Sequence, residues 1–177
     1  MPVASSLDCN VVIVNYNAGA LLSDCVTSVF AEGVDRIIVV DNASADGSLE
    51  ALVDANQNKP SLTIIRNNAN LGFAKACNMG AEASSARRIL FLNPDSVLCP
   101  GALVQMILTL ESSSRIGMVG GFLSNPDGSE QPGGRRVFPT PKRAFMRAFG
   151  LSRLSRFFPD VFSDFLLHKE SLPKVPV

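Results

Sequence analysis

The sequence predicts one α/β domain built on a mostly parallel β-sheet with helices on both faces. Three observations predict it. Short β-branched or aliphatic runs alternate with longer segments of helical periodicity: Val11–Val14, Ile37–Val40, Leu62–Ile65 and Ile89–Leu92. Val11–Val14 and Ile89–Leu92 show no apolar–polar alternation, as expected of strands covered on both faces. Three of them stop at polar clusters, Asn15-Tyr16-Asn17, Asp41-Asn42 and Asn93-Pro94-Asp95.

Taken in order, Val11–Val14 is the first strand. Asn15–Gly19 closes it, with asparagine and glycine suited to a tight loop of positive φ. Leu21, Leu22, Cys25, Val26, Val29 and Phe30 fall at helical spacing, and Gly33 ends that helix at C′. Arg36–Val40 is the second strand. Asp46 reads as the N-cap of a helix running to about Gln57, with Ser48 and Glu50 in its first turn. Leu62–Ile65 is the third strand. The turn-rich Asn67–Gly72 leads into a helix over Phe73–Ala83, whose Ala74, Ala76, Ala81 and Ala83 let it lie close to the sheet. Ile89–Leu92 reads as a central strand, ended by Pro94. Pro100 predicts the first residue of a helix with Leu103, Val104, Met106, Ile107 and Leu110 on its apolar face. Ile116–Phe122 predicts a further strand whose glycines mark close approach. Asn125–Gly128 predicts a hairpin turn.

The chain has 177 residues, 46% hydrophobic and 18% charged, enough for one domain with a real core. Charge is uneven. Residues 1–134 carry 7 Lys/Arg against 13 Asp/Glu, and residues 135–177 carry 9 against 3. The predicted organisation is therefore a domain over 8–134 and a basic, Phe-rich helical tail over 135–177. Cys9, Cys25, Cys77 and Cys99 form no Cys-x-x-Cys pair, and His168 is the one histidine, which argues against a zinc centre. Their apolar neighbours predict buried, reduced thiols in a cytoplasmic protein. The first residues lack the basic and apolar regions of a signal peptide, and no apolar run reaches the ~20 residues of a membrane span.

Parallel neighbours set their polar ends along one rim, where open α/β sheets bind ligands. Tyr16, the only tyrosine in a chain without tryptophan, offers a flat face for a base, or packs on the next helix. Asp41 offers an acceptor for a base N–H or ribose hydroxyls, or closes a turn. Asn70, Gly72 and Asn78 flank a helix N-terminus, which favours an anion, though a loop and cap explain them equally. Asp95 holds a divalent cation that holds a diphosphate, or bonds its own backbone in a turn. A dinucleotide-binding dehydrogenase wants Gly-x-Gly-x-x-Gly after strand one; Asn-Tyr-Asn-Ala-Gly stands there, and Tyr16 and Asn17 would obstruct a pyrophosphate. There is no Gly-Lys-Ser/Thr, and Asn15–Gly19 lacks the basic residue a nucleotidyltransferase would want.

Four segments in order carry a resemblance. They are Val-Val-Ile-Val-Asn-Tyr-Asn (11–17), Val-Val-Asp-Asn-Ala-Ser-Ala-Asp-Gly-Ser (39–48), Asn-Ala-Asn-Leu-Gly-Phe-Ala-Lys-Ala-Cys-Asn (68–78) and Phe-Leu-Asn-Pro-Asp-Ser (91–96). Together they resemble the family-two inverting glycosyltransferases of GT-A, Rossmann-like fold, most closely the bacterial rhamnosyltransferase-type subgroup. The likeness runs from Val11 to Pro139 and includes Asp127-Gly128-Ser129 and Arg135–Pro139. It implies transfer of a sugar, rhamnose in the subgroup, from a dTDP- or UDP-linked donor to a glycan or lipid-linked acceptor in cell-surface polysaccharide synthesis. It implies a donor nucleotide held by Asn15, Tyr16, Asn17, Asp41, Asn42, Ser44, Asn70, Gly72, Phe73, Asn78 and Asn93. Mg2+ or Mn2+ is implied at Asp95, where the family carries an Asp-x-Asp-type motif. Asn93 replaces the first carboxylate, so cation affinity without nucleotide is expected to be low. The family's general base belongs to a later acidic segment, expected beyond Val177. The chain accordingly reads as a donor-binding half with little turnover alone. The alternative is a catalytically incomplete nucleotide-sugar-binding or assembly module.

Arg135–Arg156 holds seven Lys/Arg and no acid, and the tail holds 7 of the 11 phenylalanines. A basic amphipathic helix is expected there. It either packs on its own protein or lies peripherally at the inner face of a membrane through 141–167. Its apolar surface could also drive homodimerisation. No stacking motif supports nucleic acid.

Overall fold

A computed structural model describes residues 7–57 and 59–131. They fall into two compact units that divide between Val119 and Gly120. The first contains β1 (Cys9–Asn15), α1 (Leu21–Ala31), β2 (Arg36–Asp41), α2 (Ser48–Ala55), β3 (Leu62–Arg66), α3 (Phe73–Glu82), β4 (Arg88–Leu92) and α4 (Ala102–Glu111). The strands form one parallel sheet in the order β3-β2-β1-β4. Alternating strands and helices give this α/β fold, as predicted.

The two faces of the sheet are filled differently. Val11, Ile13, Ile37 and Val39 point to one side, against Leu22, Cys25, Val26 and Val29 of α1, Leu49 and Leu52 of α2, and Leu103 of α4. Val12, Val14, Ile38 and Val40 point to the other, against Ala76 of α3. Fully burying one such side chain contributes roughly 1.5–3 kcal/mol, so β1 and β2, covered on both faces, anchor the fold. Gly80 explains how α3 lies so close: a Cβ there would stand 2.3 Å from Val12 Cγ1. Ala76 and Gly80 carry this approach, while Ala74 and Ala83 are exposed.

Several expectations are corrected. β4 is an edge strand among the described residues, as β3 is at the other side, and Phe91 is 48% exposed. The reason lies in α3, which covers β1 and β2 and leaves the β4 side of that face open. Residues 116–122 form no strand. Three glycines weaken the run, Met118 is 88% exposed, and the only pairing nearby among the described residues is an isolated antiparallel bridge between Ser124 and Glu130. That bridge closes the predicted turn in the second unit, where the Gly128 N–H donates to the Asn125 carbonyl at 2.9 Å. Helix α4 starts at Ala102, not at Pro100. Gly101 takes φ +79° at its N-cap, and Glu32 accepts from the N–H groups of Gly101 and Leu103 at 2.7 and 2.9 Å. Helix α2 ends at Ala55, with Gly47 rather than Asp46 in the N-cap position. Gly33 closes α1 as expected, donating to the Phe30 carbonyl.

All four cysteines are free. Cys9 and Cys25 are buried, but Cys77 is half-buried and Cys99 exposed, against the expectation for all four. The tail readings fall on 135–177, outside the described residues. Among the described residues no helix is long and apolar enough to cross a membrane.

Candidate functional site

The order β3-β2-β1-β4 reverses direction at β1, which lies between β2 and β4. Ligands of open α/β sheets bind outside the carboxyl ends of the strands at such a reversal. Register brings the polar ends there together. Asn15 pairs with Asp41, and Ile13 with Leu92, so Asn93 follows directly beside the end of β1.

Asn15 is the hub. It is fully buried, and its Nδ2 lies 2.8 Å from Asp41 Oδ1, 3.0 Å from Ser44 Oγ and 2.9 Å from Ser48 Oγ. Two hydrogens serve three acceptors. The Asp41 carboxylate can only accept, which fixes the amide's orientation. Asn15 Oδ1 is buried with no protein partner, so its acceptor capacity is unspent. Asp41 is 4% exposed, and its Oδ2 accepts from the Ser44 N–H at 3.1 Å. Both oxygens therefore face the frame. That turn puts Ala43 at φ +61°, which a residue with a Cβ rarely adopts.

Further bonds tie the β1–α1 loop to the β2–α2 loop. The Asn17 N–H donates to Ser44 Oγ at 3.0 Å, and Asn17 Oδ1 accepts from the Ala45 N–H at 2.9 Å. Asp46 Oδ2 accepts from the Gly19 N–H at 2.8 Å. Asp46 Oδ1 accepts from the N–H and the hydroxyl of Ser48 at 3.1 and 2.6 Å. The Ser48 hydroxyl, then its N–H and that of Gly19, hold the Asp46 carboxyl below the usual carboxylate range. Asn17 and Gly19 both take positive φ, +54° and +58°. Between these anchors stands Tyr16, 53% exposed.

The remaining predicted residues sit around this frame. Asn42 is buried and spent: it accepts from Asn67 Nδ2 at 2.9 Å and reaches the Gly72 carbonyl at 3.5 Å. Asn70 Oδ1 accepts from the Gly72 N–H at 2.9 Å. Gly72 precedes α3 at φ +83°, Phe73 is 56% exposed, and Asn78 is exposed on that helix. Asn93 and Asp95 are exposed after β4. The Asn93 carbonyl accepts from the Ser96 N–H at 3.2 Å and from the Cys25 thiol at 3.4 Å. Burial, with a smaller push from Asp95, raises the Cys25 thiol to about 12. Neither Asn93 nor Asp95 bonds to the Asn15 frame.

The sequence reading missed Ser48 and the second role of Asp46. A polar residue before a helix signals a cap; nothing local signals a bond to a loop 27 residues earlier.

Among the described residues no three His, Cys, Asp or Glu side chains gather as a metal site. Asn93 and Asp95 supply one amide and one carboxylate. That sparse oxygen set fits a cation that keeps waters and takes phosphate oxygens from its substrate, as Mg2+ does. A cleft of about 620 Å³ lies at the opposite, amino-terminal edge of β4, where Arg88 is already paired with Glu111 and with the Leu7 carbonyl.

A family model described as glycosyl transferase family 2 matches residues 10–172. An N-acetylglucosaminyl-diphospho-decaprenol L-rhamnosyltransferase of Mycobacterium tuberculosis is 29% identical over 151 residues, covering 78% of this chain and 48% of that protein. An uncharacterized glycosyltransferase of Haemophilus influenzae is 25% identical over 116 residues, covering 64% of this chain and 36% of its own length. The chain thus spans about half the length, or less, of these curated relatives. Among solved structures, the mannosyltransferase PcManGT from Pyrobaculum calidifontis, in complex with GDP-Man and Mn2+, aligns with TM-score 0.57 at 19% identity, over 64% of this chain and 36% of that one. S. aureus TarS 1-349 in complex with UDP-GlcNAc aligns with TM-score 0.52 at 20% identity, over 58% and 31%. These two likenesses establish the fold alone.

Proposed function

The chain belongs to glycosyl transferase family 2, and from that premise we propose that it binds a nucleoside-diphosphate sugar at the carboxyl ends of β1, β2 and β4 for transfer to an acceptor hydroxyl. One observation carries this reading: the half-exposed Tyr16 stands at the sheet's reversal point between two hydrogen-bonded anchors, Asn15 and Asn17. Such a ring is a ready platform for a base.

In this proposal Tyr16, Asn17, Ser44, Gly72, Phe73, Asn78 and Asn93 line the donor site. Asn15, Asp41, Asn42 and Asn70 hold its walls. Asp95, helped by Asn93, would hold Mg2+ or Mn2+. When bound, that cation would supply positive charge against the leaving diphosphate. A carboxylate base removes the acceptor's proton on the opposite face of the sugar, which gives inversion. The donor's nucleobase is uracil or thymine. Rhamnose as the sugar and a lipid-linked acceptor are taken from the name of the mycobacterial relative, and a place in cell-surface polysaccharide synthesis is part of the same proposal. The chain would then work on the cytoplasmic side. The basic tail over 135–177 would meet the membrane face through 141–167, or a second copy of the chain.

The test is nucleotide release. The chain is incubated with dTDP-rhamnose or a UDP-sugar, Mn2+ and a diphospholipid-linked N-acetylglucosamine. Acceptor-dependent release of dTDP or UDP supports transfer.

A second reading is a nucleotide-sugar-binding module without transfer. It rests on the carboxylates that the described residues bring to the rim: Asp41 and Asp46 are engaged within the frame, which leaves Asp95 among them where transfer wants both a cation ligand and a base. Tight donor binding with no acceptor-dependent release supports this reading.

A further inference from the structure

We propose that Asp46 is a positioning residue for the Tyr16 loop, clasping it to helix α2 so that the donor site is formed before the donor arrives. The proposal rests on the nucleotide-binding reading and adds a residue to it. The two carboxylate oxygens divide the work. Oδ1 takes the N–H and hydroxyl of Ser48, at the first residue of α2, while Oδ2 alone takes the Gly19 N–H at 2.8 Å. One side chain thus joins a helix seated on the core through Leu49 and Leu52 to the loop that follows β1.

The loop needs such a clasp. Asn17 and Gly19 both sit at positive φ, and Ala43 across from them does too. Glycine enters that region freely and asparagine tolerates it, but both leave it as easily, so only bonds to the surroundings hold this stretch in one conformation. Asn17 is held by Ser44 and Ala45. Gly19, between Asn17 and α1, has Asp46 as its anchor. Tyr16 makes no hydrogen bond within the frame, so the position of its half-exposed ring follows the backbone on either side. Freeing that backbone charges the cost of ordering it to the nucleotide.

Asp46→Asn separates the clasp to Gly19 from the bonds to Ser48. Its amide oxygen still accepts from Ser48, but its NH2 meets the Gly19 N–H donor to donor. The readout is built in, because Tyr16 is the only tyrosine and there is no tryptophan. Tyrosine emission of the whole chain therefore reports on this loop alone. We expect iodide quenching of Tyr16 to rise about twofold in D46N, and the Kd for UDP or dTDP to weaken about tenfold. Leu52→Ala is the control: it destabilises α2 from its buried face and should leave the quenching unchanged. If D46N fails to fold, Asp46→Ser keeps a hydroxyl for the helix start and carries the same expectation. Quenching and Kd within error of the parent chain would overturn the proposal, as would an equal quenching change in L52A. If the parent chain binds neither nucleotide, the function reading falls, and the quenching comparison still decides the clasp.

Discussion

The Asn15 amide donates to the Asp41 carboxylate at 2.8 Å, joining the carboxyl ends of paired strands where both side chains are buried. Asn15→Ala removes the donor and leaves a buried carboxylate oxygen unpaired. A lost hydrogen bond to a charged group, with its desolvation cost, predicts a loss of about 2–4 kcal/mol. The urea midpoint, measured at unchanged slope, checks it.

Gly80 lies against Val12, where an added Cβ would meet Cγ1 at 2.3 Å. Gly80→Ala should cost about 1–3 kcal/mol by overpacking. Val12→Ala in the same chain should recover part of that loss. A double-mutant cycle on denaturation midpoints reads the coupling, and simple additivity would contradict the contact.

Asp95 is exposed and bonds to none of the frame. Asp95→Asn should therefore leave the unfolding midpoint nearly unchanged. It should remove most of the Mn2+-dependent part of nucleotide binding, with about a tenfold rise in Kd. Thermal shift with UDP or dTDP, with and without Mn2+, makes the comparison.

Cys25 is fully buried, and burial raises its thiol from 9.0 to about 12. The folded state therefore keeps a proton that the unfolded state gives up. This contribution is complete below about pH 9 and is lost as pH rises towards 12, up to roughly 4 kcal/mol. Cys25→Ala should flatten the alkaline fall in stability. At neutral pH the exposed Cys99 should alkylate first, with Cys9 and Cys25 protected until unfolding.

The strands and helices were legible because each buries a continuous apolar run or stripe. Hydrophobicity alone misled at Ile116–Phe122, where a strand-like composition has no partner strand among the described residues. It also misplaced β4. The run Ile89–Leu92 reports apolar faces, not how many neighbours the strand has, and α3 leaves Phe91 half uncovered. At the rim, the polar strand ends were legible as a group but their division of labour was not. Whether Asn15 and Asp41 face a ligand or each other depends on register between strands 26 residues apart in sequence. The clasp of Asp46 to Gly19 is hidden for the same reason, while a polar helix start near Asp46 was plain, though Gly47 takes the N-cap position.

The most direct test of the central claim is the emission of Tyr16 during titration with UDP or dTDP in the presence of Mn2+, corrected for absorption with free N-acetyltyrosinamide. If the rim binds a nucleoside diphosphate by stacking its base on this ring, emission falls saturably, and Asp95→Asn moves the curve to higher concentration. Emission that stays constant at millimolar nucleotide would contradict the account.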